Sequence, residues 1–257
     1  MGLIKELAKD IVYGIGDFLT FGKGINRNIG GFDIRFPVRF SRYYPTDYEP
    51  YLFQFLKKNC HEGYTFLDCG AHIGLFSVVG SRIVGERGKV VSFEPMPSIR
   101  AVLENTISIN NCSNVTVRPE AVSSKIGEAR FFDTGNVASN ANSLVRQDRH
   151  AGNITVPVTT IDQVRAEMNL RINCIKIDVE GAEYDLLVGA EKTIKEDRPI
   201  LFLSLHPPAI AQGGQSLEMI WNILAGYSYS VQLSGTEIDR NYFISQADLF
   251  DVECYAI

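Results

Sequence analysis

The stretch Thr65-Phe-Leu-Asp-Cys-Gly-Ala-His-Ile-Gly-Leu-Phe76 constrains this chain more than any other part of it. Phe66 and Leu67 read as a short buried strand that ends at Asp68, Gly70 and Gly74 make a tight turn, and a helix opens near Ile73. That order belongs to an α/β fold with a nucleotide-cradling turn. Glycine at these positions lets the backbone pass close to a ligand, and the free N–H groups of the helix start face the same place. The spacing is Asp-x-Gly-x-x-x-Gly instead of Gly-x-Gly-x-x-Gly, so a dinucleotide pyrophosphate is not the expected guest. A ligand with an amino-acid end suits the turn better, with its ammonium on Asp68 and its carboxylate on backbone N–H groups. An ordinary strand-to-helix turn without a ligand stays open on this stretch alone.

Three further strands end in acids. Lys89-Val-Val-Ser-Phe-Glu94 places Glu94 24 positions beyond Gly70, near the offset at which nucleotide-binding α/β folds set a carboxylate for the ribose hydroxyls. Pro95 and Pro97 stop that strand, and a helix follows over Ser98 to Asn110. After a third strand, Val115 to Arg118, Glu120 is placed to accept from an exocyclic adenine amine and Ala121 to pack on the ring. The run Ile172-Asn-Cys-Ile-Lys-Ile-Asp-Val-Glu-Gly-Ala-Glu183 reads as a buried parallel strand ending in charge. Lys176, Asp178 and Glu180 share one parity, and a lysine in so apolar a run needs an acid beside it. The carboxyl ends of central strands are where α/β enzymes hold their chemistry; a structural ion pair is the alternative for Lys176.

Residues 1–60 read as an N-terminal module and 61–257 as the main domain. The module begins with an amphipathic helix over residues 3–21, whose apolar stripe fits packing on the domain or on a second copy of the chain, so a homo-oligomer is left open. A short strand or hairpin arm over Phe32 to Phe40 follows, then a helix over Asp47 to Lys58 with Thr46 or Asp47 as cap and Pro50 in its first turn. This module can lie across the ligand site. Short strands at Ala129–Phe132 and Asn153–Val158 flank an Asn-rich loop from Asp133 to Gly152, which reads as a lid with Asn140, Asn142 and Arg146 toward substrate. Surface disorder is the competing reading. Strands over Pro199–Leu205, Tyr227–Leu233 and Asp251–Ile257 and a helix over Ser216–Leu224 complete the chain.

At 257 residues and 45% hydrophobic the chain buries a full core, and its net charge of -5 with no basic run argues against extended nucleic-acid binding. Its five cysteines form no Cys-x-x-Cys pair, and no apolar run reaches a membrane span. Reduced, cytoplasmic chemistry on small molecules or glycans is the expectation.

The strings Phe-Leu-Asp-Cys-Gly-Ala-His-Ile-Gly-Leu-Phe-Ser, Val-Ser-Phe-Glu-Pro-Met-Pro, Glu-Ala-Val-Ser, Lys-Ile-Asp-Val-Glu-Gly-Ala-Glu and Arg-Pro-Ile occur in one order between about Asp47 and His206. In this the chain resembles the FkbM family of S-adenosylmethionine-dependent methyltransferases. The resemblance implies a Rossmann-like class I methyltransferase fold with a seven-stranded, mostly parallel sheet, a terminal antiparallel strand and, here, an N-terminal helical extension. It also implies O-methylation of a hydroxyl on a sugar, glycan or similar natural product, with S-adenosylhomocysteine as product. Asp68, Gly70, His72, Gly74, Glu94, Glu120, Ala121 and Asp178 are then the cofactor residues. Cys69 and His72 stand where the family more often has Val and Asn, and Ser204 where it often has Glu. An alcohol acceptor needs a base as charge develops. His206 is the first candidate, with Asp178 orienting it or serving itself, and Glu180 beside them. Asp178 and Glu180 are acceptable ligands for a divalent cation, but no Asp-Asn pair follows the fifth strand, and no metal is assigned. An NAD(P)-dependent oxidoreductase and a noncatalytic binding module are the rival classes.

Overall fold

The computed structural model describes residues 16, 19–135, 141–148 and 151–257. The helix expected over residues 3–21 lies almost wholly outside the described residues, as does Asn140.

A hairpin comes first, β1 (Ile25–Ile29) and β2 (Phe32–Phe36), followed by a 3₁₀ turn at Val38–Phe40. The helix Pro50–Asn59 leads to β3 (Thr65–Cys69), and the helix Leu75–Val84 to β4 (Lys89–Phe93). The helix Pro97–Ile109 precedes β5 (Val115–Arg118), β6 (Ala121–Val122), β7 (Gly127–Asp133) and β8 (Gly152–Thr159). After the helix Ile161–Glu167 come β9 (Cys174–Ile177), the helices Glu183–Val188 and Glu191–Asp197, and β10 (Ile200–Leu205). The helices Pro207–Gln212 and Leu217–Gly226 lead to β11 (Tyr229–Leu233) and β12 (Thr236–Glu237), and the helix Arg240–Ile244 to β13 (Phe250–Ala256).

The central sheet runs β12-β11-β13-β10-β9-β3-β4-β5. The five strands from β10 to β5 are mutually parallel, and β13 is antiparallel to both its neighbours, β10 and β11. This is the expected seven-stranded order with one antiparallel strand; the two-residue β12 extends it as a hairpin edge. Every residue of β3 and β9 is buried, because helices cover both faces of a parallel sheet and leave no face for solvent. One apolar cluster joins Phe66, Val90 and Phe202 to Ile34, Phe36 and Phe55 of the N-terminal segment. A second, on the opposite face, centres on Leu67, Ile175, Leu203 and Val252. A small separate sheet, β6-β8-β7, stands beside the main one.

The local chemistry explains the boundaries. Thr160 and Ser216 cap their helices by accepting from the N–H groups of Gln163 and Met219. The helix Pro50–Asn59 differs from expectation: it starts at Pro50, not Asp47, because Pro50 sets the first helical position and cannot follow a helical residue comfortably. Its cap is Glu49, in a left-handed conformation (φ 40°, ψ 56°), and the carboxylate makes no capping hydrogen bond. All five cysteines are buried and free. Among the described residues no helix is long and apolar enough to cross a membrane.

Candidate active site

Strand register builds the floor of the site. Asp68 on β3 lies opposite Lys176 on β9 and Ser92 on β4, so three polar residues distant in sequence meet inside the sheet. Lys176 Nζ is 3.3 Å from Asp68 Oδ1 and 3.6 Å from Asp178 Oδ2, and it donates to the Gly70 carbonyl at 3.0 Å. Ser77 Oγ donates to Asp68 Oδ2 at 2.6 Å and accepts from Ser92 Oγ at 2.8 Å. Burial alone would push the Lys176 ammonium below its ordinary pKa; the charges of Asp68 and Asp178 outweigh that and hold it above. The ammonium ties the glycine turn to the end of β9.

This corrects the expectation for Asp68. Its side chain is fully buried beneath the turn, against Ser77 and Lys176, and is not part of the cleft lining. The glycines also act differently from expectation. A Cβ on Gly70 (φ +81°) would lie 1.9 Å from the Asp178 carbonyl oxygen, and one on Gly74 (φ +95°) 2.6 Å from Leu103 Cδ1. Gly70 admits the end of β9 and Gly74 admits the helix Pro97–Ile109; Gly74 does not line the cleft. Gly70→Ala is therefore expected to lower stability by about 2 kcal/mol or more, read as a fall in the thermal midpoint by circular dichroism.

Above this floor opens a cleft of about 810 Å³, counted to its open mouth, along the carboxyl ends of β3, β4 and β9. Gly70, Ala71 and His72 form its base. Ala71 N–H donates to the Phe93 carbonyl at 3.0 Å and His72 N–H to Glu94 Oε2 at 3.0 Å. These two amides are thus spoken for within the protein, and the expectation that they hold a carboxylate does not apply to them. Glu94 Oε1 accepts from Met96 N–H at 2.9 Å, so backbone donors fix both oxygens of a carboxylate that faces the cleft. Burial pushes Glu94 up to about 7 although those donors pull the other way. His72 lines the cleft with φ +49°; its Nδ1 is 3.1 Å from the Tyr44 hydroxyl and its ring lies 5.0 Å from that of Tyr43. It fastens the N-terminal segment onto the turn.

Glu120 and Ala121 line the cleft, Ala121 buried with Val122 and Phe131 in an apolar wall. Both Glu120 oxygens accept from Arg118, at 2.5 and 3.0 Å, and Arg118 also reaches Glu167 at 3.2 Å. The acid expected to meet a ligand amine is therefore already charge-paired.

At the other end stand Asp178, Glu180 and His206. Glu180 (φ +55°) is held by its carbonyl, which accepts from Ser143 Oγ at 2.7 Å and Gln147 Nε2 at 3.1 Å. The Asn-rich loop thus docks on the turn after β9. Asn142 lines the cleft, whereas Arg146, expected toward substrate, is exposed and does not; Ser143 and Gln147, which the sequence reading did not single out, dock the loop. A long loop carries no periodicity from which its docking residues can be picked.

His206, just beyond β10, shares its Nδ1 with Glu183 Oε1 at 3.0 Å, while its Nε2 is 3.5 Å from Glu180 Oε1 and 3.8 Å from Asp178 Oδ1. Burial lowers its proton affinity, but the Glu183 hydrogen bond and the charges of Asp178 and Glu180 reverse this and raise it to about 9. An imidazole held protonated at neutral pH is a poor proton acceptor, which counts against His206 as the base. An NMR titration is expected to place its midpoint near 9. With a folded value above the ordinary 6.5, its contribution to stability is fully present below 6.5 and is lost as pH rises through about 9. Asp178, Glu180 and His206 each offer a ligand atom within 4.8 Å of the others. His206 already joins the two acids through its Nε2, and no ion is assigned to them.

Ser204 Oγ donates to Asp251 Oδ1 at 2.7 Å, its register partner on β13. A carboxylate stands beside Ser204 after all, supplied by the neighbouring strand.

The strand order and this cleft over the switch between β3 and β9 define the class I methyltransferase fold. The family described as "Methyltransferase FkbM domain" matches residues 68–231, more than half of the chain. The chain belongs to the FkbM family of S-adenosylmethionine-dependent methyltransferases. It is similar to the AMB antimetabolite synthetase AmbE of Pseudomonas aeruginosa, at 24% identity over 74% of this chain and 10% of that one. It is also similar to the methyltransferase sdnD of Sordaria araneosa, at 27% identity over 49% of this chain and 60% of that one. The chain therefore spans less than two thirds of either relative. A solved FkbM methyltransferase from Methylobacillus flagellatus aligns at 18% identity and a TM-score of 0.48, over 96% of this chain and 60% of that one.

Proposed function

We propose that this chain transfers a methyl group from S-adenosylmethionine to a hydroxyl of a sugar, glycan or similar small natural-product acceptor. The observation that carries the reading is the charge of the cleft: five acids, Glu49, Glu94, Glu120, Asp178 and Glu180, line it against Lys176 and, behind the lining, Arg118 and His206, so the acids outnumber the cations. Such a lining suits a ligand with positive charge and opposes a dinucleotide pyrophosphate, which counts against the oxidoreductase alternative. When bound, the cofactor supplies an electrophilic methyl on a sulfonium. The chain's own residues do the rest. Glu94 has free lone pairs for the ribose hydroxyls, its orientation fixed by His72 and Met96 N–H. Ala121, Val122 and Phe131 offer an apolar wall for the adenine. Asp178 and Glu180, held in place by His206, are placed to accept hydrogen bonds from the several hydroxyls of a sugar and so align one of them.

Calorimetric titration with S-adenosylmethionine, S-adenosylhomocysteine and NAD tests this. Binding of the two sulfur ligands without NAD is expected, followed by transfer of labelled methyl to methyl glycosides. NAD binding alone, or no binding to folded protein, would overturn it.

A further inference from the structure

Resting on that reading, we infer that Glu49 is the general base that takes the proton from the acceptor hydroxyl. The argument begins with the acids of the cleft. Glu94 is held by two backbone N–H groups, Glu120 by Arg118, Asp178 by Lys176 and His206, and Glu180 by His206. A carboxylate already engaged by such partners is spoken for, and on the reading above Glu94 is given to the ribose hydroxyls. None of the ion pairs among the described residues includes Glu49, whose neighbour in the chain is the neutral phenol of Tyr48.

Its position supports the same conclusion. Glu49 sits at the start of the helix Pro50–Asn59, where a carboxylate ordinarily caps the first N–H groups, yet it makes no such bond. Instead it lines the cleft with Asp178 and Lys176, from a left-handed backbone that a glutamate adopts only at an energetic cost. The groups that face it are Tyr48 and Tyr44 from its own segment, Asp178 and Lys176 from β9 and its end, and Asp251 from β13. Burial first, then the charges of Asp178 and Asp251, push its carboxyl up to about 7 against the pull of Tyr48 and Lys176. A base is most effective when its pKa lies near the working pH.

The step balances. An O–CH₃ bond forms as the methyl C–S bond breaks and leaves its electron pair on sulfur. The acceptor O–H proton passes to the Glu49 carboxylate, which later returns it to solvent.

The test uses the whole chain, as wild type, Glu49→Gln and Glu49→Asp, each checked for an unchanged melting transition. Titration with S-adenosylmethionine near pH 7, in buffers of differing ionisation enthalpy, counts the protons released. The sulfonium favours an ionised Glu49, so wild type and Glu49→Asp are expected to release more protons than Glu49→Gln. With S-adenosylhomocysteine, which lacks that charge, the difference is expected to shrink. Labelled methyl transfer to methyl α-mannoside, methyl α-galactoside and methyl α-rhamnoside is followed across pH. At S-adenosylmethionine concentrations well below saturation, where the rate reports the free enzyme, it is expected to rise through about 7 in wild type, to fall by about 100-fold in Glu49→Gln without that rise, and to return in part in Glu49→Asp. Equal proton release by wild type and Glu49→Gln, or an unaltered pH profile, overturns the role of Glu49 and leaves the cofactor reading standing. No binding of S-adenosylmethionine overturns both. If none of the three sugars takes label, the calorimetric comparison decides.

Discussion

Lys176→Met is expected to lower the melting temperature by about 10 °C or more, the largest stability loss of any single change at the site. Lys176 is 3% exposed and lies between Asp68, fully buried, and Asp178. Removing one partner of such a pair leaves a carboxylate charge where neither water nor a cation reaches it, at about 3–5 kcal/mol. Loss of the ammonium also releases the Gly70 carbonyl, so the turn that forms the cleft floor loosens with it. The double variant Lys176→Met/Asp68→Asn removes the stranded charge and is expected to recover most of the loss in a calorimetric melt. If the single variant melts like wild type, the buried network is not what fastens β9 to the turn.

Glu94→Ala is expected to weaken S-adenosylhomocysteine binding by about 10- to 100-fold and to lower the melting temperature by a few degrees, because the buried N–H groups of His72 and Met96 lose their acceptor. Hydrogen bonds to a charged group contribute about 1.5–3 kcal/mol, and each 1.4 kcal/mol is a factor of ten in affinity. The carboxyl must be ionised to accept from two hydroxyls, and burial raises its pKa to about 7. Wild-type affinity should therefore decline as pH falls through 7, and the variant's should not. A variant that binds as wild type does, or a wild-type affinity flat from pH 8 to 6, would show that Glu94 holds only the backbone of His72 and Met96.

How much of this was legible in the sequence follows from which interactions are local. β3, β4, β5 and β9 stood out because each is an apolar run that stops at a charged residue or a glycine. Glu94 and Asp178 were found because a strand end fixes where a side chain emerges. Asp68 was misjudged because its true partner, Lys176, comes from strand register across 108 positions, which no local spacing records. The surroundings of His206 were illegible for the same reason: Glu183, Glu180 and Asp178 converge on it only in the fold. Glu49 passed unnoticed because an acid before Pro50 reads as an ordinary helix start. The one trace it left was the proline itself, which moves the cap from Thr46 or Asp47 to the residue before it. β1 was missed because three of its five residues, Asn26, Arg27 and Asn28, are polar and the strand is only partly buried.

The placement of β13 bears on how the molecule is made. This strand, near the C-terminal end of the sequence, lies inside the sheet, paired on one side with β10 and on the other with β11. During synthesis, β10 and β11 emerge first and wait with unpaired edges, each a template for association with another chain. Only when residues 250–256 leave the ribosome do the two halves join, and Asp251 reaches Ser204 in the same event. A chain stalled just short of that segment would hold most of the cleft yet be prone to aggregate.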